Sequence, residues 1–181
     1  MSLDLIVGSM FSGKTTELLR RIRRLKSIGM RCVVINHSND TRVEGAFVQT
    51  HDGFKLPAIK TPNLLLTDIR AYDAVAIDEA QFFPNVVAAV RVMVETHGKF
   101  VLVAGLNGDY RRQPFGHLAE LLPVADDVTW TRAFCQRCSD GTLASFTLRL
   151  TPEETTVSVG GADKYSAVCR RCYEIQQNNA K

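Results

Sequence analysis

The chain contains no run of eighteen apolar residues, so nothing in it is built to span a membrane. It also lacks a basic N-terminal region followed by an apolar, cleavable segment. Met1-Ser2-Leu3-Asp4 leads almost directly into an apolar stretch, and a cytosolic location is the expectation. The sequence does not repeat, apart from two C-x-x-C turns. Charge of one sign is not in excess: 22 Lys and Arg against 19 Asp and Glu leave +3, too little for a broad basic stripe. What is present suits a soluble globular protein. The 181 residues, 45% hydrophobic and 23% charged, are enough for one medium domain with a true core and a small second module.

The basic residues gather in Arg20-Arg21-Ile22-Arg23-Arg24-Leu25-Lys26. A nucleic-acid surface is one reading of this run. A solvated helix face is the plainer one, because Glu17 stands four residues before Arg21, at the spacing of a helical ion pair.

The most informative segment is Gly8-Ser9-Met10-Phe11-Ser12-Gly13-Lys14-Thr15. It is a G-x-x-x-x-G-K-[ST] pattern, preceded by the apolar run 3–7 and followed by a helical pattern over 15–28. Leu18, Ile22 and Leu25 mark the apolar face of that helix, and Gly29 stops it. Glycines let the backbone turn tightly, so that successive N–H groups point at phosphate oxygens. Lys14 brings positive charge to the β- and γ-phosphates of a nucleotide, and Thr15 brings a hydroxyl to Mg²⁺. The N–H groups at the start of the helix face the same anion.

Further along, 31–36, 72–77 and 100–104 read as strands, and 63–71, 85–97 and 116–122 as helices, the last ending before Pro123. Strands alternating with helices imply an α/β fold with a parallel central sheet. Residues 37–60 lack periodicity and suit a long loop or hairpin. After Pro123 the character changes. Residues 128–134, 142–150 and 155–159 favour strands, and the tail from Gln176 is polar and expected to fray. A nucleotide-binding domain over 1–127 and a smaller module over 128–181 are expected.

The strand over 72–77 ends in Asp78-Glu79. An acid in this place helps hold Mg²⁺ in phosphate-loop enzymes, and a strand adjacent to the loop would bring Asp78 near Thr15. Glu79 then faces an acceptor hydroxyl, or a water, and takes its proton. An acidic pair entering a surface loop is the alternative. Of Phe82 and Phe83, one suits the core and the other a nucleobase pocket, although core packing for both fits the segment read alone.

Four of the five cysteines form the pairs Cys135/Cys138 and Cys169/Cys172; Cys32 lies in an apolar run and reads as a small buried hydrophobe. Two such pairs suit a tetrahedral thiolate site, with Zn²⁺ as the expected metal. Iron–sulfur, redox-active pairs and free thiols are the alternatives. Four protein ligands leave no open position for substrate, so the metal would clamp a module too small to hold itself together. Between the pairs, Gly160-Gly161-Ala162-Asp163-Lys164-Tyr165 reads as a substrate-covering loop or as a structural turn with a surface tyrosine.

Taken together, the chain closely resembles the thymidine kinases of the human cytosolic, bacterial and poxvirus type. The resemblance rests on the phosphate loop, Asp40-Thr41-Arg42, Ile77-Asp78-Glu79-Ala80-Gln81-Phe82-Phe83, Pro114-Phe115-Gly116, the four cysteines and Gly160 to Tyr165. It implies a RecA-like phosphate-loop domain with a zinc-held module carrying a lasso loop, and phosphoryl transfer from ATP to the 5′-hydroxyl of thymidine. By the same resemblance, Glu79 is the catalytic base, Lys14 the phosphate clamp, and Thr15 and Asp78 the Mg²⁺ ligands. The phosphate loop from Gly8 to Thr15, with Asp40, binds the donor, and Arg42 stabilises the transferred phosphoryl. Met10, Phe82, Leu106, Tyr110, Phe115 and Thr147 line the thymidine pocket. Backbone groups of the lasso near Ser158 and Gly160 hold the base, with Tyr165 beside them. Met10, Thr147 and Tyr165 surround its 5-methyl group, an apolar contact worth only about 1–3 kcal/mol of discrimination. A homotetramer inhibited by dTTP is also implied, with no stable nucleic-acid partner.

The chain departs from the family pattern at Ser9, where related loops carry proline, and at Ala80, where glycine is common. Asn107-Gly108-Asp109-Tyr110 replaces an aspartate-first, phenylalanine-ended version, adding a hydroxyl to a pocket wall. A zinc-ribbon nucleic-acid-binding ATPase module is the competing reading, resting on the basic run, the cysteines and the phosphate loop.

Overall fold

The apolar runs of the sequence lie side by side as strands of one parallel sheet. The computed structural model describes residues 1–41, 45–50, 52–152, 155 and 160–179. In chain order the elements are β1 (Ser2–Gly8), α1 (Lys14–Ser27), β2 (Cys32–His37), β3 (Phe47–Gln49), β4 (Lys55–Pro57) and β5 (Ile59–Thr61). Next come β6 (Ala74–Asp78), α2 (Val86–Arg91), β7 (Phe100–Leu106) and β8 (Asp127–Thr131). The last are β9 (Ala133–Phe134), β10 (Leu143–Ala144), β11 (Phe146–Arg149), β12 (Tyr165–Val168) and α3 (Arg170–Asn179). Six strands form the central sheet in the order β5-β2-β6-β7-β1-β8, every pairing parallel.

Side chains alternate across this sheet, and each face finds a different cover. Leu3, Leu5, Val7, Val75, Ile77, Val101 and Val103 point to one side, where Phe83, Val86, Val90, Met93, Leu118 and Leu121 close over them. Ile6, Val34, Ala76, Leu102 and Ala104 point to the other, against Leu18, Leu19 and Ile22 of α1. Ile22 is fully buried, so its truncation to Ala would cost about 2–5 kcal/mol.

The fold class expected from the sequence is the one observed, with local differences. The strand bearing Asp78 does not adjoin β1, because β7 lies between them. Helix α1 crosses the sheet face and bridges that gap. The run 128–134 divides: β8 joins the sheet beside β1, and β9 pairs with β10 in a hairpin. The sheet therefore extends to Thr131, past the expected division after residue 127. The stretch 142–150 similarly divides into β10 and β11. The helix expected over 85–97 begins as α2 and widens into a π-helical turn at Val92–Thr96. Residues 63–71 make only one 3₁₀ turn, Leu64–Leu66, capped by the Asn63 side chain. The turns at Leu118–Val124 are 3₁₀ and include Pro123, because short i→i+3 turns lose little to one missing N–H. The segment after β2 resolves into the β3–β4 hairpin. Helix α3 extends through most of the polar tail, to Asn179. Cys32 is half-buried, its thiol directed at the Met30 carbonyl. Of 155–159, only Thr155 is among the described residues, and it is not in a strand.

Beyond β8, the hairpins β9–β10 and β11–β12 share a small core with α3. Ala133, Cys135, Ala144, Leu148, Ala167, Val168 and Tyr173 are buried there, and Phe11 of the phosphate loop packs against them.

Candidate active site

Gly8 ends β1 where the loop is crowded. A Cβ there would stand 2.3 Å from the Thr131 carbonyl oxygen and 2.6 Å from Ser12 Oγ. Its absence lets β8 press against the loop. Gly13 caps α1 with φ +80°, a left-handed conformation that L side chains rarely adopt. Between them the loop is tied at several points. Ser12 Oγ donates to the Ser9 carbonyl at 2.8 Å and lies 2.8 Å from Thr131 Oγ1. The Met10 N–H donates to Thr147 Oγ1 at 3.0 Å. Phe11 takes φ +62°, a strained choice for an aromatic residue, while its ring packs in the small module. Lys14 Nζ donates to the Ser9 carbonyl at 2.7 Å, so the ammonium lies folded back on the loop that carries it.

Across the sheet end, Thr15 Oγ1 lies 3.0 Å and 3.4 Å from the two Asp78 carboxylate oxygens. Adjacent ligands of an octahedral Mg²⁺ stand about 2.9 Å apart, so a hydroxyl and a carboxylate at this separation fit that ion. Glu79 follows with φ +53°, again left-handed. The strand ends at Asp78, and both acids are buried. Gln81 Nε2 donates to Glu79 Oε2 at 2.5 Å. Gln81 Oε1 accepts the Leu106 N–H at 3.1 Å, which fixes the orientation of the amide.

These groups face one cavity of about 330 Å³. Its wall includes Met10, Phe11, Ser12, Gly13, Lys14, Thr15, Asp40, Asp78 and Glu79 from the expected donor and catalytic set. It also includes Phe82, Leu106, Tyr110, Phe115, Thr147, Gly160 and Tyr165 from the expected acceptor set. Gly8 and Ser9, also of the loop, are not part of the wall. Arg42 and Ser158 lie outside the described residues. The two phenylalanines divide as the sequence suggests: Phe83 is fully buried in the core, while Phe82 packs edge-on against Phe115 at the cavity wall. His37 lies beneath both rings, and burial pulls its imidazole below the usual histidine range.

Some wall residues were not singled out from sequence. Val48, Gln49 and Thr50 come from the hairpin segment, whose lack of periodicity concealed it. Gln81 stands inside the acidic motif but was read only as part of the resemblance. Arg149 follows Thr147 by two positions on β11, so both lie on the same side of the strand. That spacing was the available signal for it.

The four paired cysteines converge. Their sulfur atoms all lie within 4.8 Å of one another, with Cys138 Sγ 3.5 Å from Cys172 and 3.8 Å from Cys169. Disulfide sulfurs stand about 2.05 Å apart, whereas thiolates around a tetrahedral Zn²⁺ stand about 3.8 Å apart. The donor set fits zinc. Burial opposes ionisation of Cys135, but the backbone N–H groups of Cys169, Cys138 and Arg137 outweigh it and hold the thiol at about 6. The neighbouring thiols Cys172, Cys135 and Cys169 push Cys138 up to about 12. Four thiols this close need a cation before all of them ionise.

Two of the five basic residues of the run on α1 are engaged within the fold. Arg20 and Arg21 both bind Glu17, at 2.6 Å and 2.8 Å, and Arg21 also reaches Asp4 on β1 and Asp127 on β8. This leaves the nucleic-acid reading with less free charge than the sequence suggests.

A strand–glycine loop–helix unit, a lysine in the loop, and a carboxylate at the end of another strand of the same sheet, beside the first helical hydroxyl, define a phosphate-loop nucleotide enzyme. Residues 1–173 match the family described as thymidine kinase, and the chain belongs to that family. It is 40% identical over 173 residues to the thymidine kinase of raccoon poxvirus, covering 94% of this chain and 96% of that one. It is 42% identical over 176 residues to the human cytosolic thymidine kinase, covering 94% of this chain and 72% of that one. The variola virus thymidine kinase is 40% identical over 173 residues, covering 94% and 96% respectively.

Proposed function

We propose that this chain transfers the γ-phosphoryl group of ATP to the 5′-hydroxyl of thymidine, giving dTMP. The observation that carries this reading is the single cavity shared by Lys14, Thr15, Asp78 and Glu79 and by an aromatic and apolar acceptor wall. Family membership supplies the substrate class.

In this reading the phosphate loop and Asp40 bind ATP, and Lys14 leaves the Ser9 carbonyl for the β- and γ-phosphates. Thr15 and Asp78 hold Mg²⁺. Bound by these two residues, the ion would supply neutralisation of the phosphate charge. Glu79 accepts the proton of the 5′-hydroxyl as its oxygen attacks phosphorus, and Gln81 holds the carboxylate in place. Arg42 stabilises charge on the transferred phosphoryl. Met10, Phe82, Leu106, Tyr110, Phe115, Thr147 and Tyr165 seat the nucleoside, and Ser158 and Gly160 bind its base through the backbone. Positioning favours the sugar hydroxyl over water. Zinc at Cys135, Cys138, Cys169 and Cys172 is structural and holds the module from about residue 132 onward. The assembly is a homotetramer, inhibited by dTTP and located in the cytoplasm. Among the described residues no helix is long and apolar enough to cross a membrane.

The test supplies purified protein and Mg-ATP with thymidine, deoxycytidine, deoxyguanosine or single-stranded DNA in separate reactions. Formation of dTMP is expected. DNA-stimulated ATP hydrolysis without nucleoside phosphorylation would overturn the reading.

A further inference from the structure

Arg149 is a buried guanidinium that the proposed chemistry does not use. It projects from β11 between two walls of the cavity. Its carbon lies 3.8 Å from the Tyr110 ring centroid and 5.3 Å from that of Tyr165. Nη2 donates to the Tyr165 hydroxyl at 2.7 Å, and Nη1 donates to the Thr155 carbonyl. Tyr110 and Tyr165 come from distant parts of the chain, the loop after β7 and the start of β12. Tyr110 is held from behind by the Tyr173 hydroxyl, which donates to its carbonyl at 2.7 Å.

We infer that Arg149 is a positioning residue that clasps Tyr110 to Tyr165 and so sets the affinity of the site for its nucleoside acceptor. A planar guanidinium stacks on one ring while donating in its own plane, and an ammonium does not combine these contacts. Cation–π attraction and a charge-assisted hydrogen bond are both strengthened where water is excluded. Among the described contacts, the clasp joins Tyr110, Tyr165 and the Thr155 carbonyl on the acceptor side of the cavity. Its loss therefore acts on acceptor binding rather than on donor binding or proton removal. This inference rests on the thymidine kinase reading of the same cavity.

The experiment compares wild type with Arg149→Met, Arg149→Lys and Tyr165→Phe. Thymidine is varied at saturating Mg-ATP, ATP at saturating thymidine, and thymidine binding without ATP is followed by calorimetry. Arg149→Met is expected to raise the thymidine KM and dissociation constant by about tenfold or more, with the ATP KM and kcat within about threefold. Arg149→Lys should recover part of the affinity. Tyr165→Phe should weaken binding in wild type but add little in the Arg149→Met background. If Arg149→Met fails to fold, the two milder variants carry the comparison. A thymidine KM unchanged in Arg149→Lys and Tyr165→Phe, or equal rises in both KM values, would overturn the clasp. Wild-type protein inert toward thymidine would instead remove the reading on which it rests.

Discussion

Gln81 donates to the Glu79 carboxylate at 2.5 Å while accepting the Leu106 N–H at 3.1 Å. The amide thus spans from the end of β7 to the acid that follows β6, and it settles which way that acid faces. Glu79 needs this support because its own backbone is left-handed at φ +53°. Glu79→Gln should lower kcat by about 10²- to 10⁴-fold with nucleotide binding retained. Gln81→Leu should lower kcat by roughly ten- to a hundredfold through misplacement of the carboxylate, with the ATP KM little changed. Steady-state kinetics of the two variants check both. Wild-type turnover in Glu79→Gln would remove it from the base role.

Gly116 explains why the Pro114-Phe115-Gly116 turn needs its glycine. Its φ is +59°, and a Cβ would stand 2.2 Å from the Gln81 carbonyl oxygen, a backbone atom that cannot step aside. Gly116→Ala should destabilise the fold by at least about 2 kcal/mol, from backbone strain and from overpacking together. Urea unfolding measures that loss. Because the displaced partner belongs to Gln81, the variant should also lose turnover beyond its unfolded fraction. A stability equal to wild type would refute the contact.

The sheet was legible because continuous apolar runs have one cause in sequence and structure: both faces are buried. Lys14, Thr15, Asp78 and Glu79 were legible because phosphate chemistry restricts which residue types can stand together at that spacing. Strand order was less so. Nothing local to Ala74–Asp78 says that β7 lies between it and β1, since that depends on where α1 and the later crossovers pack. The roles of Gln81 and Arg149 were hidden for a similar reason. Each is defined by partners far away in the chain, the Leu106 N–H for one and Tyr110 and Tyr165 for the other. Val48, Gln49 and Thr50 lay in a three-residue strand and its turn, too short to leave a clear period, although Val48 and Thr50 are buried.

Glu17 gives the fold an acid-sensitive tie. Its hydrogen bond to Arg20, with the further bond to Arg21, holds its carboxyl at about 2 against an ordinary value of 4.5. A folded value below the unfolded one means that the stabilisation is complete above about 4.5 and is lost as pH falls towards 2. The pairs are partly solvated, so the contribution is under about 1 kcal/mol. Glu17→Gln should therefore lower stability slightly at pH 7 and flatten its dependence on pH between those values. Arg21→Met should cost more, because Arg21 also joins α1 to β1 and β8 through Asp4 and Asp127. Thermal melts across the acid range separate the two. Identical pH profiles for wild type and Glu17→Gln would contradict the assignment.

Metal removal should reach further than the module that holds the cysteines. The small core that packs beside Cys135, Cys138, Cys169 and Cys172 also receives the Phe11 ring, and β11 of that module supplies the Thr147 hydroxyl that fixes the Met10 N–H. Two residues inside the phosphate loop are thus held by the unit that carries the four cysteines. Metal analysis should find about one zinc per chain, and an iron chromophore would refute that identity. A strong chelator should weaken Mg-ATP binding as well as thymidine binding. Monitoring ATP binding by calorimetry after dialysis to remove the chelator avoids its competition for Mg²⁺, and re-addition of zinc should restore affinity. Full ATP affinity in zinc-free protein would show that the phosphate loop holds its shape without the module.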